Sequence, residues 1–352
     1  MKSTAPCTTG VFDTYWRFAA KRQAVFFHRL MGREEPWTDD AILQKHKFTN
    51  AYRASDRVSQ FLIRHVIYGQ ETEELDNSNP EEIFFRTLLF KVFNRISTWH
   101  ELEKEFGQVS FEEYDFDRYD ALFCRLKQRG QRIFSSAYIM PSGSSSFGYA
   151  DKHRNYLKLL ERMIEDGVPW RLTEMKTMRQ AFELLRSYPT MGDFLAYQFV
   201  TDLNYSPLTD FSEMEFVMPG PGARDGIAKC FSNLNGWSEA DAIRWVAERQ
   251  EEEFTRRGID FKDLWGRPLQ LIDCQNLFCE VDKYARVAHP EAKGLSGRTR
   301  IKQLFQPTEG SSCYWYPPKW GLNDKIPPVS PQQPSSRFPL DSPTLPFDDI
   351  FP

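Results

Sequence analysis

Apolar side chains recur every three to four residues along most of this chain, and this period limits the possible folds more than any other feature. Within residues 11–31 one helical face carries Tyr15, Phe18, Ala19, Val25, Phe26 and Leu30. Alternation of period two, which marks half-buried strands, is scarce. The sequence therefore predicts an all-α fold, a single multi-helix domain over residues 11–310 after a short N-terminal tail, residues 1–10.

Capping residues mark the start of two helices. Asn79 is a predicted N-cap with Pro80 at the first helical position, and Glu82 completes a predicted capping box. Ser238 and Asp241 predict a second capping box, for a helix that closes near residue 258. Further helices are predicted over residues 50–68, 154–165, 173–186, 192–203, 223–231 and 268–287.

The composition changes at Tyr316, because ten prolines lie between Pro317 and Pro352. Few residues of this stretch can form a core. Residues 311–352 are therefore predicted to be a Pro-rich tail that is disordered or partly polyproline II. The prolines of residues 327–331 suit a Pro-recognising domain as a partner.

Charge and cysteine content exclude several classes of protein. A net charge of -4 lacks the basic bias of a strong non-specific DNA binder, so any DNA-contacting surface must be local. The six cysteines form no CxxC pair and the six histidines are isolated, so neither a metal site nor a disulfide framework is predicted. No apolar run approaches the roughly 18 residues of a membrane span, and no signal-peptide core follows Met1. We expect an intracellular protein, in the cytoplasm or nucleus.

A Pro-Gly stretch before a predicted helix is the first candidate site. Its glycines permit positive φ and close backbone approach, and the free N–H groups of the helix start can hold a phosphate. The candidate phosphate-binding residues are Gly220, Pro221, Gly222, Ala223, Arg224 and Lys229. The alternative interpretation is a tight turn between helices that binds no ligand.

The second candidate is Asp282, which falls beside the apolar stripe of the predicted helix 268–287. Its basic neighbours Lys283 and Arg286 can keep the carboxylate ionised, as a general base or electrostatic stabiliser requires. The alternative is a surface helix that carries two ordinary ion pairs, Glu280–Lys283 and Asp282–Arg286.

Other polar residues interrupt apolar helices. Asn94 and Arg95 follow one apolar run, Asp202 ends another, and Asp56 and Arg57 lie within a third. An ionisable group that faces a helical core is costly unless it is paired, so each is a candidate for a buried polar site. Arg95 alternatively forms a structural salt bridge with Asp202 or with Asp282. The GxxxxGK(S/T), GxSxG, HExxH and GxGxxG patterns do not occur.

Taken in order, these segments and several others resemble the helical domain associated with 5-hydroxymethyluracil DNA kinases. This group overlaps the proteins described as α-glutamyl/putrescinyl thymine pyrophosphorylases. The segments are Trp37–Asp40, Ile42–Leu43, Phe48–Arg53, Asp56–Arg57, Phe93–Ile96, Ala137–Ile139, Tyr197–Leu203, Pro219–Ala223 and Cys279–Tyr284. The resemblance runs from Val11 to Phe305.

The resemblance implies a role in the hypermodification of thymine in DNA, in which a hydroxymethyl group is phosphorylated and an amine or amino acid displaces the phosphate. It also implies a fold like that of helix-hairpin-helix DNA glycosylases. Pro219–Ala223 would hold the DNA backbone or a pyrophosphate. The base pocket would be lined by Asn94, Arg95, Asp202, Asp282 and Lys283. DNA and an amine or amino-acid co-substrate are the expected partners, and the cofactor is left open.

Two other functions fit the same residues. One is a nucleic-acid-binding module that has kept the fold without turnover. The other is an interaction protein whose Pro-rich tail binds the partner. The base-modifying enzyme requires distant helices to bring the Pro-Gly stretch, Arg95 and Asp282 into one concave pocket.

Overall fold

The computed structural model describes residues 4–70, 75, 77–136, 140–306 and 313–328. In these parts of the chain the fold is all-α, and the strands Cys7–Thr8 (β1) and Phe231–Asn233 (β2) form one antiparallel pair. The helices, numbered α1 to α15 in chain order, are Gly10–Leu30, Ala41–Lys45, Arg57–Phe61, Pro80–Phe93, Ile96–Phe106, Phe116–Gln128, Ser144–Phe147, Lys152–Glu165, Val168–Glu174, Met178–Arg186, Asp193–Leu203, Pro221–Cys230, Glu239–Glu248, Gln250–Arg256 and Leu271–Ala288. The structure also has a π-helical turn and three 3₁₀ turns, at Leu62–Ile67, Arg53–Ser55, Pro318–Trp320 and Asn323–Lys325.

The helical region divides into two compact units, a division that hydrophobic period alone does not reveal. Unit 1 contains the described residues up to Asp56 and those from Phe216 to 328. Unit 2 contains the described residues of Arg57–Glu215. The chain therefore enters unit 1, completes unit 2, and then returns to unit 1.

Helix α15 is the centre of unit 1, where α1, α12 and α13 pack against it. The ring of Phe278 on α15 lies 4.6 Å from that of Tyr15 and 6.2 Å from that of Phe231, measured between centroids. Tyr15 is fully buried and its hydroxyl donates to the Cys274 carbonyl. Burial of a side chain such as Phe278 contributes about 1.5–3 kcal/mol, so these rings stabilise the contact between α1 and α15.

Two glycines allow α12 to lie directly on α15. A Cβ atom added at Gly222 would come 2.4 Å from the Cys279 Sγ. One added at Gly226 would come 1.9 Å from the Phe278 carbonyl oxygen. At Gly226 the obstructing atoms belong to the α15 backbone, so no side chain fits there and the two helix backbones are in near contact.

Part of the predicted Pro-rich tail is folded. Tyr316 is fully buried in unit 1, where its hydroxyl hydrogen-bonds the Ser55 hydroxyl at 2.8 Å. Asn323 accepts from the Tyr316 N–H and donates to the Tyr316 carbonyl, and the Arg267 guanidinium lies 3.7 Å from the Trp320 ring centroid. Aromatic side chains thus give residues 313–328 the apolar area that the prolines lack. The disorder predicted for residues 311–352 is therefore wrong for residues 313–328. Residues 311–312 and 329–352 lie outside the described residues, as do three of the five residues of the Pro-rich stretch 327–331.

Helix α4 is the centre of unit 2, and α8, α9, α11 and the π-helical turn pack around it. Every residue of this helix except Glu81 is buried, as expected for a helix with apolar side chains on all sides. Its charged residues therefore need buried partners. Arg86 donates to Glu82 and to Asn77, and Lys91 belongs to a polar cluster described below.

The predicted caps are confirmed in two cases and corrected in one. Asn79 caps α4 by accepting from the Glu81 N–H, and Ser238 and Asp241 form the predicted capping box. Glu82 does not complete a capping box. Its carboxylate instead accepts from the Phe111 and Glu112 N–H groups, because a distant loop reaches this buried position.

Three predicted helices are interrupted in the structure. The predicted helix 50–68 is divided into a 3₁₀ turn, α3 and the π-helical turn, and the predicted helix 173–186 is divided between α9 and α10. The helix that begins after Ser238 breaks at Arg249 before it ends near Gly258. None of the described helices combines the length and the apolar character needed to cross a bilayer.

Candidate functional site

Asp282 lies in a buried ion-pair cluster of unit 1. Its Oδ1 is 2.8 Å from the Lys229 Nζ and its Oδ2 is 2.5 Å from an Arg286 terminal nitrogen. The Asp282 and Lys229 side chains are only 3% and 1% exposed. Two cations, Lys229 and the predicted neighbour Arg286, thus contact this carboxylate, whereas the other predicted neighbour, Lys283, pairs with Glu280.

The surroundings of Asp282 differ from the predicted surface helix. Both ion pairs of that interpretation form, since Lys283 Nζ also lies 2.8 Å from Glu280. The acid of each pair is buried. Helix α12 packs on α15 and brings Lys229 to Asp282, whereas Glu280 lies against the Thr49 N–H. Lys229 therefore contacts a carboxylate and not an open anion site.

Several segments that carry the family resemblance meet α15 in unit 1. Glu280 accepts from the Thr49 N–H at 3.0 Å, and Asp273 accepts from the Arg53 N–H at 2.8 Å. Tyr284 donates to Asp40 at 2.7 Å. The segments Trp37–Asp40 and Phe48–Arg53 thus fit against one helix through hydrogen bonds.

Asp56, a candidate for a buried polar site, also lies in unit 1. It accepts from the Asn50 N–H at 2.7 Å. Burial raises the pKa of Asp56 to about 7, against the opposing effects of that hydrogen bond and of the nearby Arg22 guanidinium. This carboxyl group is therefore protonated more readily than an exposed aspartate.

The Pro-Gly stretch forms the start of α12. Gly220 is the N-cap with φ of -78° and no side-chain cap, and Pro221 occupies the first helical turn. Neither Gly220 nor Gly222 adopts the positive φ that glycine permits. The group that approaches Gly222 closely is Cys279 of α15. Phosphate binding by Gly220–Ala223 stays a prediction, with Arg224 exposed beside it.

A basic segment, residues 293–302, is anchored next to this helix start. Asp225 of α12 accepts from the Ser296 N–H at 2.7 Å and from its hydroxyl at 2.5 Å. A Cβ at Gly294 would lie 2.9 Å from the Asp225 Oδ1, so the segment lies directly on this carboxylate. Arg286 donates to the Arg300 carbonyl at 3.0 Å. The segment carries Lys293, Arg298, Arg300 and Lys302.

Unit 2 contains the other candidate group. Lys91 Nζ lies 3.0 Å from the Asp202 Oδ2 and donates to the Asn94 Oδ1 at 3.0 Å. The Lys91 and Asp202 side chains are 4% and 1% exposed. Asn94 ends α4 in the left-handed conformation, with φ of 48°, and Arg95 next to it donates to the Ser97 hydroxyl.

Sequence reasoning missed Lys91. A lysine within the apolar run Leu88–Phe93 was the available signal, because a buried lysine needs an acidic partner. Of the catalytic candidates, Asn94, Arg95 and Asp202 belong to unit 2, and Asp282 and Lys283 belong to unit 1. Ala137–Ile139, part of the resemblance, lie outside the described residues.

The fold and these clusters define a class: an all-α protein with buried ion pairs and a Pro-Gly helix start beside a basic segment. Residues 9–294 match the family model described as 5-hmdU DNA kinase, helical domain, and the chain belongs to that family. It is 25% identical over 289 residues to the 5-hmdU DNA kinase of Bacillus phage SP10, across 78% of this chain and 45% of the phage protein. The chain thus spans less than half the length of that relative. No solved structure matches it.

Proposed function

We propose that this chain binds DNA at 5-hydroxymethyluracil or a base derived from it and takes part in the further modification of that base. The observation that carries the proposal is the family match over residues 9–294. The chain has no GxxxxGK(S/T) phosphate loop, so the proposal assigns it to base recognition or to a step after phosphorylation.

The start of α12 and the basic segment 293–302 are the proposed contacts to the DNA backbone. Unpaired N–H groups at a helix start attract phosphate, and lysine and arginine side chains add charge attraction. Asp225 holds the segment against α12, so both features lie on one side of unit 1. This local basic surface suits a chain whose net charge is -4.

For the chemical step we propose displacement of an activated phosphate by an amine. The amine nitrogen forms a bond to the methylene carbon on the thymine ring, the carbon–oxygen bond breaks, and the phosphate group leaves with the electron pair. The amine then loses a proton. Arg95, which is half-buried next to the Lys91–Asp202 pair, is the residue that we propose to stabilise the leaving oxygens.

A second candidate function, DNA binding without turnover, is supported by one observation. Asp282, the candidate general base, and Asp202, a candidate residue of the base pocket, have side chains only 3% and 1% exposed, and each lies in an ion pair. A general base must come within hydrogen-bond reach of the proton that it removes. Buried, paired carboxylates suit a structural role better than that task.

Removal of two charges from the basic segment is expected to weaken DNA binding. The variant combines Lys293→Ala and Arg300→Ala, and the slope of log affinity against log salt concentration should fall by about 1 for each lost phosphate contact. Fluorescence anisotropy with a duplex that contains 5-hydroxymethyluracil measures both quantities. The matched control is Arg162→Ala with Arg171→Ala, two exposed arginines of unit 2. Equal affinities and slopes for the two double variants would remove the basic segment from the proposal.

A turnover assay distinguishes the base-modifying enzyme from the DNA-binding module. DNA that carries phosphorylated hydroxymethyluracil is incubated with the protein and a panel of amines, and its nucleosides are analysed by mass spectrometry. The enzyme predicts a new amine-bearing nucleoside that Arg95→Ala reduces by about 100-fold while DNA affinity is kept, the size of effect seen for other anion-stabilising groups. Specific binding without any new nucleoside supports the binding module.

A further inference from the structure

Two histidines and a glutamate meet in unit 2. His65 comes from the π-helical turn Leu62–Ile67, and His100 and Glu103 come from α5. The His65 Nε2 is 2.6 Å from one carboxylate oxygen of Glu103, and the His100 Nδ1 is 3.2 Å from the other. Their ligand atoms all lie within 4.8 Å of one another.

Local backbone geometry produces this arrangement. His100 and Glu103 are three residues apart, so they share one face of α5. In the π-helical turn the Tyr68 N–H donates to the Ile63 carbonyl, five residues back. The wider turn changes the direction of the side chains that follow, and such turns are frequent at functional sites. The Phe61 ring packs on both imidazoles, with centroids 4.7 Å and 5.3 Å away.

The charge of this cluster is unusual for a structural ion pair. Among the described residues the Glu103 carboxylate accepts from His65, His100 and the Trp99 indole, none of which is a lysine or an arginine. The carboxylate is therefore held between two imidazoles, both of which can bind a metal through a nitrogen lone pair.

We propose that His65, His100 and Glu103 bind a divalent transition cation of the Zn²⁺ class. Two imidazoles and one carboxylate are a common protein ligand set for Zn²⁺, with water in the fourth position. The His100 and Glu103 side chains are 35% and 27% exposed, so solvent reaches the open side of the cluster.

The spacing suits a tetrahedral ion after a small movement. Bonds of about 2.0–2.1 Å to Zn²⁺ place two ligand atoms roughly 3.3 Å apart. The contact from His100 to Glu103 already has this length, at 3.2 Å. The 2.6 Å contact from His65 to Glu103 has to lengthen as the metal replaces the shared proton.

A second group of potential ligands, Asp120, Cys124 and His153, is less suitable. The Arg154 Nε donates to the Asp120 carboxylate at 2.6 Å, and its guanidinium also contacts the Cys124 sulfur. A cation in that position repels a metal ion and occupies one of its ligands. This group therefore provides the comparison for the test.

The test uses the full chain after treatment with a chelator, titrated with Co²⁺ or Zn²⁺ alone. We expect one ion per chain by calorimetry, and a Co²⁺ absorption spectrum without thiolate charge-transfer bands. His100→Asn should weaken binding by about 100-fold or more, because even outer-shell partners of metal ligands are worth about 10–100-fold. Cys124→Ser and His289→Asn are the matched controls and should bind as the parent does.

A thermal-melting experiment distinguishes a variant that has lost the metal site from one that has lost its fold. Zn²⁺ should raise the melting temperature of the parent protein and of both controls, but not that of His100→Asn or Glu103→Gln. The proposal is overturned if the parent protein binds no ion. It is also overturned if His100→Asn binds like the parent, or if Cys124→Ser abolishes binding.

Discussion

An Asp282→Asn variant is expected to lose about 3–5 kcal/mol of its free energy of unfolding, the usual cost of breaking a buried ion pair from one side. Lys229, whose side chain is 1% exposed, would be left buried with no carboxylate beside it. Arg286, 11% exposed, would lose its partner at 2.5 Å. The amide has nearly the same shape as the carboxylate, so the lost charge and not a cavity causes the effect.

Urea denaturation of the parent protein and the variant measures this loss. Glu291→Gln is the matched control, since it neutralises an acid of unit 1 that is 74% exposed, and it should change stability by no more than about 0.5 kcal/mol. If Asp282→Asn behaves like this control, the charge of Asp282 does not stabilise unit 1. An Asp282 variant that has lost DNA modification must therefore be shown to be folded before the residue is called catalytic.

A Gly226→Ala variant is expected to destabilise unit 1 by more than the roughly 1–3 kcal/mol typical of overpacking. The new Cβ would lie 1.9 Å from the carbonyl oxygen and 2.6 Å from the carbonyl carbon of Phe278. These are backbone atoms inside α15, so no side-chain rotation relieves the overlap. Helix α12 would have to move away from α15, and Lys229 would move with it.

Gly10→Ala is the control for the change of residue type. Gly10 begins α1, and a Cβ there would meet no atom within 4 Å. This control should have the stability of the parent protein or slightly more, because alanine is the better helix former. Comparable melting temperatures for Gly226→Ala and Gly10→Ala would show that α12 does not lie as close to α15 as the structure has it.

The sequence predicts the helices well because hydrophobic period and caps are local signals. The Ser238–Asp241 box and the Asn79 cap need only neighbouring residues, and both form. Glu82 has the right spacing for a capping box, but its carboxylate is used by N–H groups about thirty residues later in the chain. Local pattern cannot show which distant backbone competes for a side chain.

The candidate sites illustrate the same limit. Asp202 ends an apolar run, which marks it as a polar group that needs a partner, whereas Asp282 falls beside the apolar stripe of its helix; both are buried and paired. Their partners, Lys91 and Lys229, lie on other helices and depend on how those helices pack. The sequence indicates a turn that holds a phosphate at Gly220 and Gly222. In the structure, Gly222 and Gly226 are four residues apart on α12, and both lie where α12 is close to α15.

Histidines that are isolated in sequence need not be isolated in space. His65 and His100 lie on different elements, and only the folded unit 2 brings them to Glu103. Sequence spacing reveals ligand sets that share one helix or one loop. The pair His100–Glu103 has such a spacing, but two ligands without a third are too common to be informative.

The order of the two units along the chain has a consequence for synthesis on the ribosome. Helix α1 is made before residues 57–215 of unit 2, yet α12 and α15, against which it packs, are made after them. Domains generally fold as units while the chain is being made. The core of unit 2 can therefore form while Phe12, Tyr15 and Trp16 of α1 are still exposed in the nascent chain. Chaperones can bind these side chains until α12 and α15 have been synthesised.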